Sequence, residues 1–421
     1  MIQTMNILVI ANASWDDKNS LGNTLSNWFT GWNDCVFSCL TYRSDLPHNN
    51  CCSEYFVIPP INVLHGLFTP NRIGMRYDSL NIPSYSDKME ASVKGIAGIK
   101  RYLIRLLVDL IYIIPIWRNK KYKQFLEDIN PDIVFLFAIP EAFVYHNIKH
   151  IKKHTRAKFI MSVEDDVYGM VFSKMDPLSI IEKRRLKRMF NMADKLYGAS
   201  QIMCDNYSQI FKKAFTPIYK GCEFGSLKSS INNPIDVVYA GNLLYGRLET
   251  LIKIVNAIRA INEERVNIRL TVFSGTKLRE DQAQQINDGV NAVFEGVKPY
   301  EYIKGVLASS DVTLHVESFE KKMQSLVRYS FSTKIIDCLQ SGNTLLVVGP
   351  PNIASVEYPR TIPGAIVVDR LEDVYPVLKE SVRHPESLLE RARKINRFSK
   401  QFHSIEGVRN TLRSDFQSLF K

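Results

Sequence analysis

The sequence predicts an α/β protein of two lobes, each a parallel sheet wrapped in helices. Three observations predict it. Short, nearly continuous apolar runs recur along the chain, among them Asn6–Ala11, Ile133–Ala138, Ile235–Ala240 and Thr344–Val348. Strands covered on both faces read this way. Amphipathic helical stretches separate the runs, which is the alternation of a parallel sheet. Finally, a chain of 421 residues exceeds one ordinary hydrophobic core. Residues 225–234 (GSLKSSINNP) interrupt the alternation before Ile235 restarts it, which marks a domain boundary.

The formal net charge is +11, so the expected partners are anionic: nucleotides, phospholipid head groups or nucleic acid. Nucleic acid has only this charge in its favour, because no RNP-like, zinc-finger or helix-turn-helix pattern accompanies it. The seven cysteines are odd in number and lack zinc spacing. They read as reduced thiols of a cytosolic protein. Met5–Ala13 is apolar with no basic segment ahead of it, so no signal peptide is expected. No stretch supplies about 18 uncharged apolar residues, so no transmembrane helix is expected. No internal repeat or metal-ligand cluster is visible.

In chain order, strand Asn6–Ala11 is followed by the polar loop Asn12–Ser20 and a helix through Phe29. Strand, glycine-bearing loop and helix open a Rossmann-like domain, although no GxGxxG is present. Gly22 either lines a ligand or only turns the chain. Cys35–Leu40 and Tyr55–Ile58 are further strands, and residues 62–95 are loop-rich. In Ile96–Trp117 a polar stripe of Arg101, Arg105 and Asp109 runs along an otherwise apolar helix. Pro115 should stop or kink that helix. Lys120, Lys121 and Lys123 follow it, and Tyr112 and Trp117 add an aromatic pair. The stretch suits an in-plane membrane helix or a buried core helix. Residues 148–158 and 183–188 are also dense in Lys and Arg and suit an anionic membrane surface.

Strand Phe159–Val163 ends in Glu164, Asp165 and Asp166. Carboxylates at the C-terminal end of a parallel strand stand where α/β folds place their ligand crevice. They are candidates for a catalytic carboxylate; helix capping is the other reading. Asp194–Asn206 reads as strand, Ala-Ser turn and helix.

The second half begins with Ile235–Ala240, Gly241 and a helix starting near Arg247. The basic side chain of Arg247 is a candidate for a diphosphate or an ordinary surface arginine. Asn267–Phe273, Val293–Val297, Val312–Val316 and Ile366–Val368 are further strands. Tyr329–Gly349 (YSFSTKIIDCLQSGNTLLVVG) carries the most specific pattern. Ser332 is expected to cap a short helix, Gly342 to sit at its C′ position, and Thr344–Val348 to follow as a buried strand. A helix start beside Arg328, Ser332, Thr333 and Lys334 favours a pyrophosphate. Asp337, one turn further in, can accept hydrogen bonds from a ribose. Leu371–Lys394 and Phe398–Phe420 read as helices.

Ser-Thr-Lys, an acid, Ser-Gly and a buried strand, in that order, resemble the donor-nucleotide segment of GT-B glycosyltransferases, and more narrowly the family-four group. YAGNL followed by Arg247 resembles the first unit of their C-terminal domain. The resemblance covers most of the chain and is strongest over 235–350. It implies two Rossmann-like lobes with a cleft between them: residues 1–224 for the acceptor and 235–397 for the nucleotide sugar, with 398–421 packing back on the first. It implies a metal-independent glycosyltransferase without a cofactor, moving a hexose or related sugar from a nucleotide sugar to a lipid-linked glycan in cell-surface polysaccharide synthesis. Such an enzyme would be cytoplasmic and peripheral on the inner face of the membrane. The donor would lie against Gly22, Gly241, Arg247, Ser332, Thr333, Lys334 and Asp337, with Glu164, Asp165 and Asp166 toward the acceptor. One departure stands out. Retaining members carry two glutamates eight positions apart, and here those places hold Tyr329 and Asp337. The rival reading is a GT-B-like membrane-bound scaffold that has lost catalysis.

Overall fold

The computed structural model describes residues 4–43, 47–66, 72–78, 99–172 and 176–420. Most of the loop-rich 62–95 stretch, Ile96 to Gly98 and the Arg101 side chain lie outside the described residues. The chain forms two compact units. The first comprises Met1–Gly198, Cys204–Pro217 and Leu412–Lys421, and the second Ala199–Met203 and Ile218–Thr411.

The first unit is built on an eight-stranded sheet. Its strands are β1 (Met5–Ala11), β2 (Cys35–Thr41), β3 (Cys52–Val57), β4 (Met75–Asp78), β5 (Ile133–Phe137), β6 (Lys158–Val163), β7 (Lys195–Gly198) and β8 (Thr216–Pro217), in the order β4-β3-β2-β1-β5-β6-β7-β8. All neighbours run parallel except β3 and β4. The chain grows outward from β1 in one direction, then returns to β5 and grows in the other. The strand order therefore switches between β1 and β5. Every residue of β5 is buried, as a central parallel strand requires. Trp28, Phe29, Trp32, Phe37 and Phe135 form an aromatic cluster on the sheet, their contacting rings 5.0–6.5 Å apart between centroids in edge or tilted contact. Phe416, from the last helix Ile405–Ser418, completes it at 6.0 Å from Phe29 and 5.3 Å from Trp32.

Helix Ile99–Ile113 ends two residues before Pro115, as expected. Of its polar stripe Asp109 is buried, while Arg105 stays exposed and reaches a buried carboxylate. Asp109 accepts two hydrogen bonds from Arg185 Nη1 (2.7 and 2.8 Å) and one from the Ala142 N–H (2.8 Å). Arg105 pairs with Glu182. Tyr112 and Trp117 are core residues rather than a membrane belt, because each spends its polar atom on a buried carbonyl: Tyr112 OH on Ile58 O (2.7 Å) and Trp117 Nε1 on Tyr112 O (3.2 Å). The outward face is apolar instead: Leu103, Leu107, Leu110 and Ile114 are 48, 60, 49 and 49% exposed.

The second unit carries a six-stranded, fully parallel sheet. Its strands are β9 (Ile235–Ala240), β10 (Ile268–Phe273), β11 (Ala292–Gly296), β12 (Val312–Val316), β13 (Thr344–Val348) and β14 (Ile366–Val368), in the order β11-β10-β9-β12-β13-β14. Here the order switches between β9 and β12. The terminal helix expected over Phe398–Phe420 is broken at His403: its first residues end helix Glu386–Phe402, and helix Ile405–Ser418 follows.

His403 is fully buried, its Nε2 bonded to the Tyr358 hydroxyl and its ring beside those of Tyr219 and Phe398. Burial holds its pKa down to about 4, below the ordinary value near 6.5. The folded state therefore resists a proton that the unfolded chain takes. Stability from this group is complete above about pH 6.5 and is lost as pH falls toward about 4, by roughly 3 kcal/mol. Urea unfolding at pH 7 and pH 4.5 should record the loss, and His403→Gln should remove this part of it. A wild-type and variant difference that does not change with pH would contradict the assignment.

Candidate functional site

In open α/β sheets ligands bind beyond the carboxyl ends of the strands, where the strand order switches. In the second unit this place is formed by the loops after β9 and β12. Gly241 follows β9, with its N–H bonded to Phe273 O at 3.0 Å. Gly246 has φ +74°, and a Cβ there would meet Ser318 Oγ at 2.3 Å. Only glycine allows this turn, which brings the start of helix Arg247–Ile261 against the loop after β12.

Arg247 opens that helix, as expected, and each of its three guanidinium nitrogens has a partner. Nε and Nη2 reach Glu317 Oε2 and Oε1 at 3.1 and 3.0 Å, and Nη1 reaches Asn242 Oδ1 at 2.9 Å. His315 Nε2 lies 3.0 Å from Glu317 Oε1. Burial alone would raise the pKa of Glu317, but His315 and Arg247 outweigh it and hold the carboxyl below its ordinary value. The sequence reading saw the arginine and missed Glu317. A lone acid after an apolar strand carries no local sign of its partner.

The segment Ser332 to Asp337 lies further along, between β12 and β13. Its helix, Lys334–Gln340, begins after Thr333 rather than Ser332, and neither hydroxyl caps it. Ser332 N–H donates to Ser355 Oγ (2.9 Å), and its carbonyl accepts from the Ile335 N–H (3.0 Å). Gly342 takes the expected C′ position with φ +78°. Thr333 and Lys334 are exposed, and Lys334 Nζ lies 3.7 Å from Asp337 Oδ2. Tyr300 OH lies 3.4 Å from Asp337 Oδ1. Burial raises the pKa of Asp337, against the pull of Lys334, Lys220 and the Tyr300 hydroxyl. Asp337, Tyr300, Lys304, Leu307, Gly225 and Ser341 line a small open pocket. Tyr300 and Lys304 were not picked out from the sequence. Their only signal was i,i+4 spacing on one helix after Pro299.

In the first unit, Gly22 lies in the first turn of helix Ser20–Phe29, where a Cβ would strike the Asp16 backbone at 2.2–2.5 Å. Its need for glycine is one of packing. Glu164 Oε1 accepts from Ser162 Oγ (2.5 Å). Asp166 Oδ1 accepts from the Gly169 N–H (2.9 Å) and from Tyr207 OH (2.7 Å), so it serves the start of helix Val167–Phe172. Asp165 accepts the Val167 N–H on its backbone carbonyl at 2.6 Å.

No family model matches this sequence, and no curated protein matches it. Solved structures do match in shape over nearly the whole chain. Sucrose-phosphate synthase from Thermosynechococcus elongatus is 10% identical, with a TM-score of 0.61 and 99% of each chain covered. Anabaena HepE, in complex with UDP, is 11% identical, with a TM-score of 0.62, covering 98% of this chain and 100% of its own. A UDP-forming α,α-trehalose-phosphate synthase from Burkholderia xenovorans, in complex with glucose-6-phosphate, is 8% identical, with a TM-score of 0.57 and coverage of 98 and 100%. The fold is GT-B. On this GT-B frame, Gly241, Arg247, Ser332, Thr333, Lys334 and Asp337 belong to the second unit, and Gly22, Glu164, Asp165 and Asp166 to the first. Lys334 and Asp337 are brought together. Arg247 is instead brought to Glu317.

Proposed function

We propose that this protein is a glycosyltransferase that takes a hexose or related sugar from a nucleotide-sugar donor, with a uridine diphosphate sugar as the first choice. The observation that carries the reading is the Asp337 pocket of the second unit. It combines a carboxylate suited to ribose hydroxyls, an aromatic phenol and two nearby lysines, Lys334 and Lys304, for a diphosphate. The names of the similar structures support it, since two bear the name of a sugar-phosphate synthase and one is complexed with UDP. Basic side chains stabilise a leaving diphosphate electrostatically, so the reading requires no metal ion. Thermal unfolding with a panel of nucleotides and nucleotide sugars tests it, because a ligand bound only by the native state raises the melting temperature. UDP should stabilise the wild type. Lys334→Ala should weaken UDP binding by roughly 1.5–3 kcal/mol, the scale of a charged hydrogen bond. Absence of any nucleotide effect on the wild type would remove the proposal.

The finer reading gives the acceptor as a lipid-linked saccharide, met at the cytoplasmic face of a membrane during cell-surface polysaccharide synthesis. Its support is the outward leucine stripe of helix Ile99–Ile113. The neighbouring helix Pro177–Met192 is tied to it by Arg105–Glu182 and Asp109–Arg185. That helix exposes Ile180 and Ile181 together with Arg184, Lys187 and Arg188. Apolar side chains beside cations suit an anionic bilayer, where each basic group near the surface contributes about 1 kcal/mol. Among the described residues no helix is long and apolar enough to cross a membrane. The scaffold reading keeps one observation in its favour, Tyr329 in place of the first glutamate. Nucleotide binding without release of UDP from any donor would support it.

A further inference from the structure

The first sheet also has a switch point, and its carboxyl edge carries a polar cluster outside the residues considered so far. Asn12 follows β1, Tyr42 and Arg43 follow β2, and Glu141 follows β5 across the switch. The Tyr42 hydroxyl donates to Glu141 Oε2 at 2.9 Å. The Asn12 side chain also bonds the Glu141 carboxylate. Arg43 Nε donates to the Asn12 carbonyl at 3.0 Å.

Glu141 stands directly before helix Ala142–His154, the place from which an acidic side chain ordinarily caps a helix. Its carboxylate makes no capping bond. Asp109 takes the Ala142 N–H instead, and Asp109 is itself locked by Arg185. The Glu141 side chain, making no bond to the helix start, is turned to Asn12 and Tyr42. Burial pushes the Glu141 carboxyl up, and Tyr42, Asn12, Arg105 and Arg43 pull it back.

The equivalent place in the second unit sharpens the contrast. There, too, an asparagine follows the first strand and a glutamate follows the strand across the switch. Glu317 meets a bidentate arginine and a histidine, which fill most of its acceptor capacity. Glu141 is held by a phenol and an amide, both neutral. A carboxylate offers about four lone-pair sites, so Glu141 keeps acceptor capacity for a ligand. A carboxylate repels phosphate and accepts from hydroxyl groups.

We propose that Asn12, Tyr42, Arg43 and Glu141 form a binding site for a hydroxyl-rich saccharide, with Glu141 accepting a hydrogen bond from one of its hydroxyls. Its assignment to the acceptor of sugar transfer rests on the function proposed above; the saccharide site itself does not. Glu141 replaces Glu164, Asp165 and Asp166 as the carboxylate nearest such a ligand.

The test uses the full chain on an array of neutral and acidic glycans, with UDP-induced thermal stabilisation measured in parallel. The wild type should bind a subset of glycans. Glu141→Gln and Tyr42→Phe should each lower that binding at least tenfold while leaving the UDP effect unchanged. Tyr42→Phe removes one hydroxyl, so it serves if Glu141→Gln does not fold. Wild-type protein that binds no glycan, or variants that bind as the wild type does, would overturn the site. Glycan binding lost in the variants of a protein that ignores UDP would uphold this site and remove the donor reading.

Discussion

Replacing Arg247 with Ala is expected to destabilise the second unit by about 3–5 kcal/mol, the cost of stranding a buried charge. Glu317 is the charge in question: its side chain is 1% exposed, and Arg247 supplies two of its bonds. Chemical unfolding followed by a probe in the second unit measures the effect. The double variant Arg247→Met, Glu317→Leu should recover most of the loss, because it removes both charges and fills the space with apolar volume. A small effect of Arg247→Ala would mean that water reaches Glu317 and the pair is not closed. The comparison also separates two roles. If the double variant is stable and still loses UDP binding, Arg247 serves the ligand as well as the fold.

Changing Leu107 and Leu110 to Glu should abolish binding to anionic vesicles. Both side chains are already about half exposed or more, so the fold should tolerate the change. A leucine moved from water into an apolar phase contributes about 1.5–3 kcal/mol. Two of them, with two new negative charges against an anionic surface, should weaken binding by more than a hundredfold. Flotation with vesicles containing phosphatidylserine measures it, and added salt should weaken the wild type through screening. Failure of the wild type to float with such vesicles at low salt would defeat the membrane proposal and leave sugar transfer standing.

The two sheets were legible in the sequence because parallel strands buried on both faces need unbroken apolar runs, and runs such as Ile133–Ala138 and Thr344–Val348 have no other use. β4 was not legible. It is a four-residue antiparallel edge strand of half-buried and exposed side chains. The helix Ile99–Ile113 shows a different limit. Periodicity revealed that Arg105 and Asp109 share a stripe, but not that Asp109 is buried in an ion pair while Arg105 stays exposed. That choice depends on Glu182 and Arg185, more than 70 residues away in sequence. Glu141 was invisible for the same reason. Before a helix it reads as a cap, and its partner Tyr42 lies 99 residues upstream.

The place of Phe416 bears on how this protein is made. The aromatic cluster of Phe29, Trp32 and Phe135 is complete only when Phe416 arrives. A ribosome adding about 5–20 residues per second finishes the other strands of the first sheet by Pro217 and then spends roughly 10–40 seconds before it reaches that phenylalanine. Throughout that interval the nascent first unit displays an unfilled aromatic hollow, a natural handle for chaperones. The second unit, whose sheet lies wholly between Ile235 and Val368, is synthesised while the first one waits.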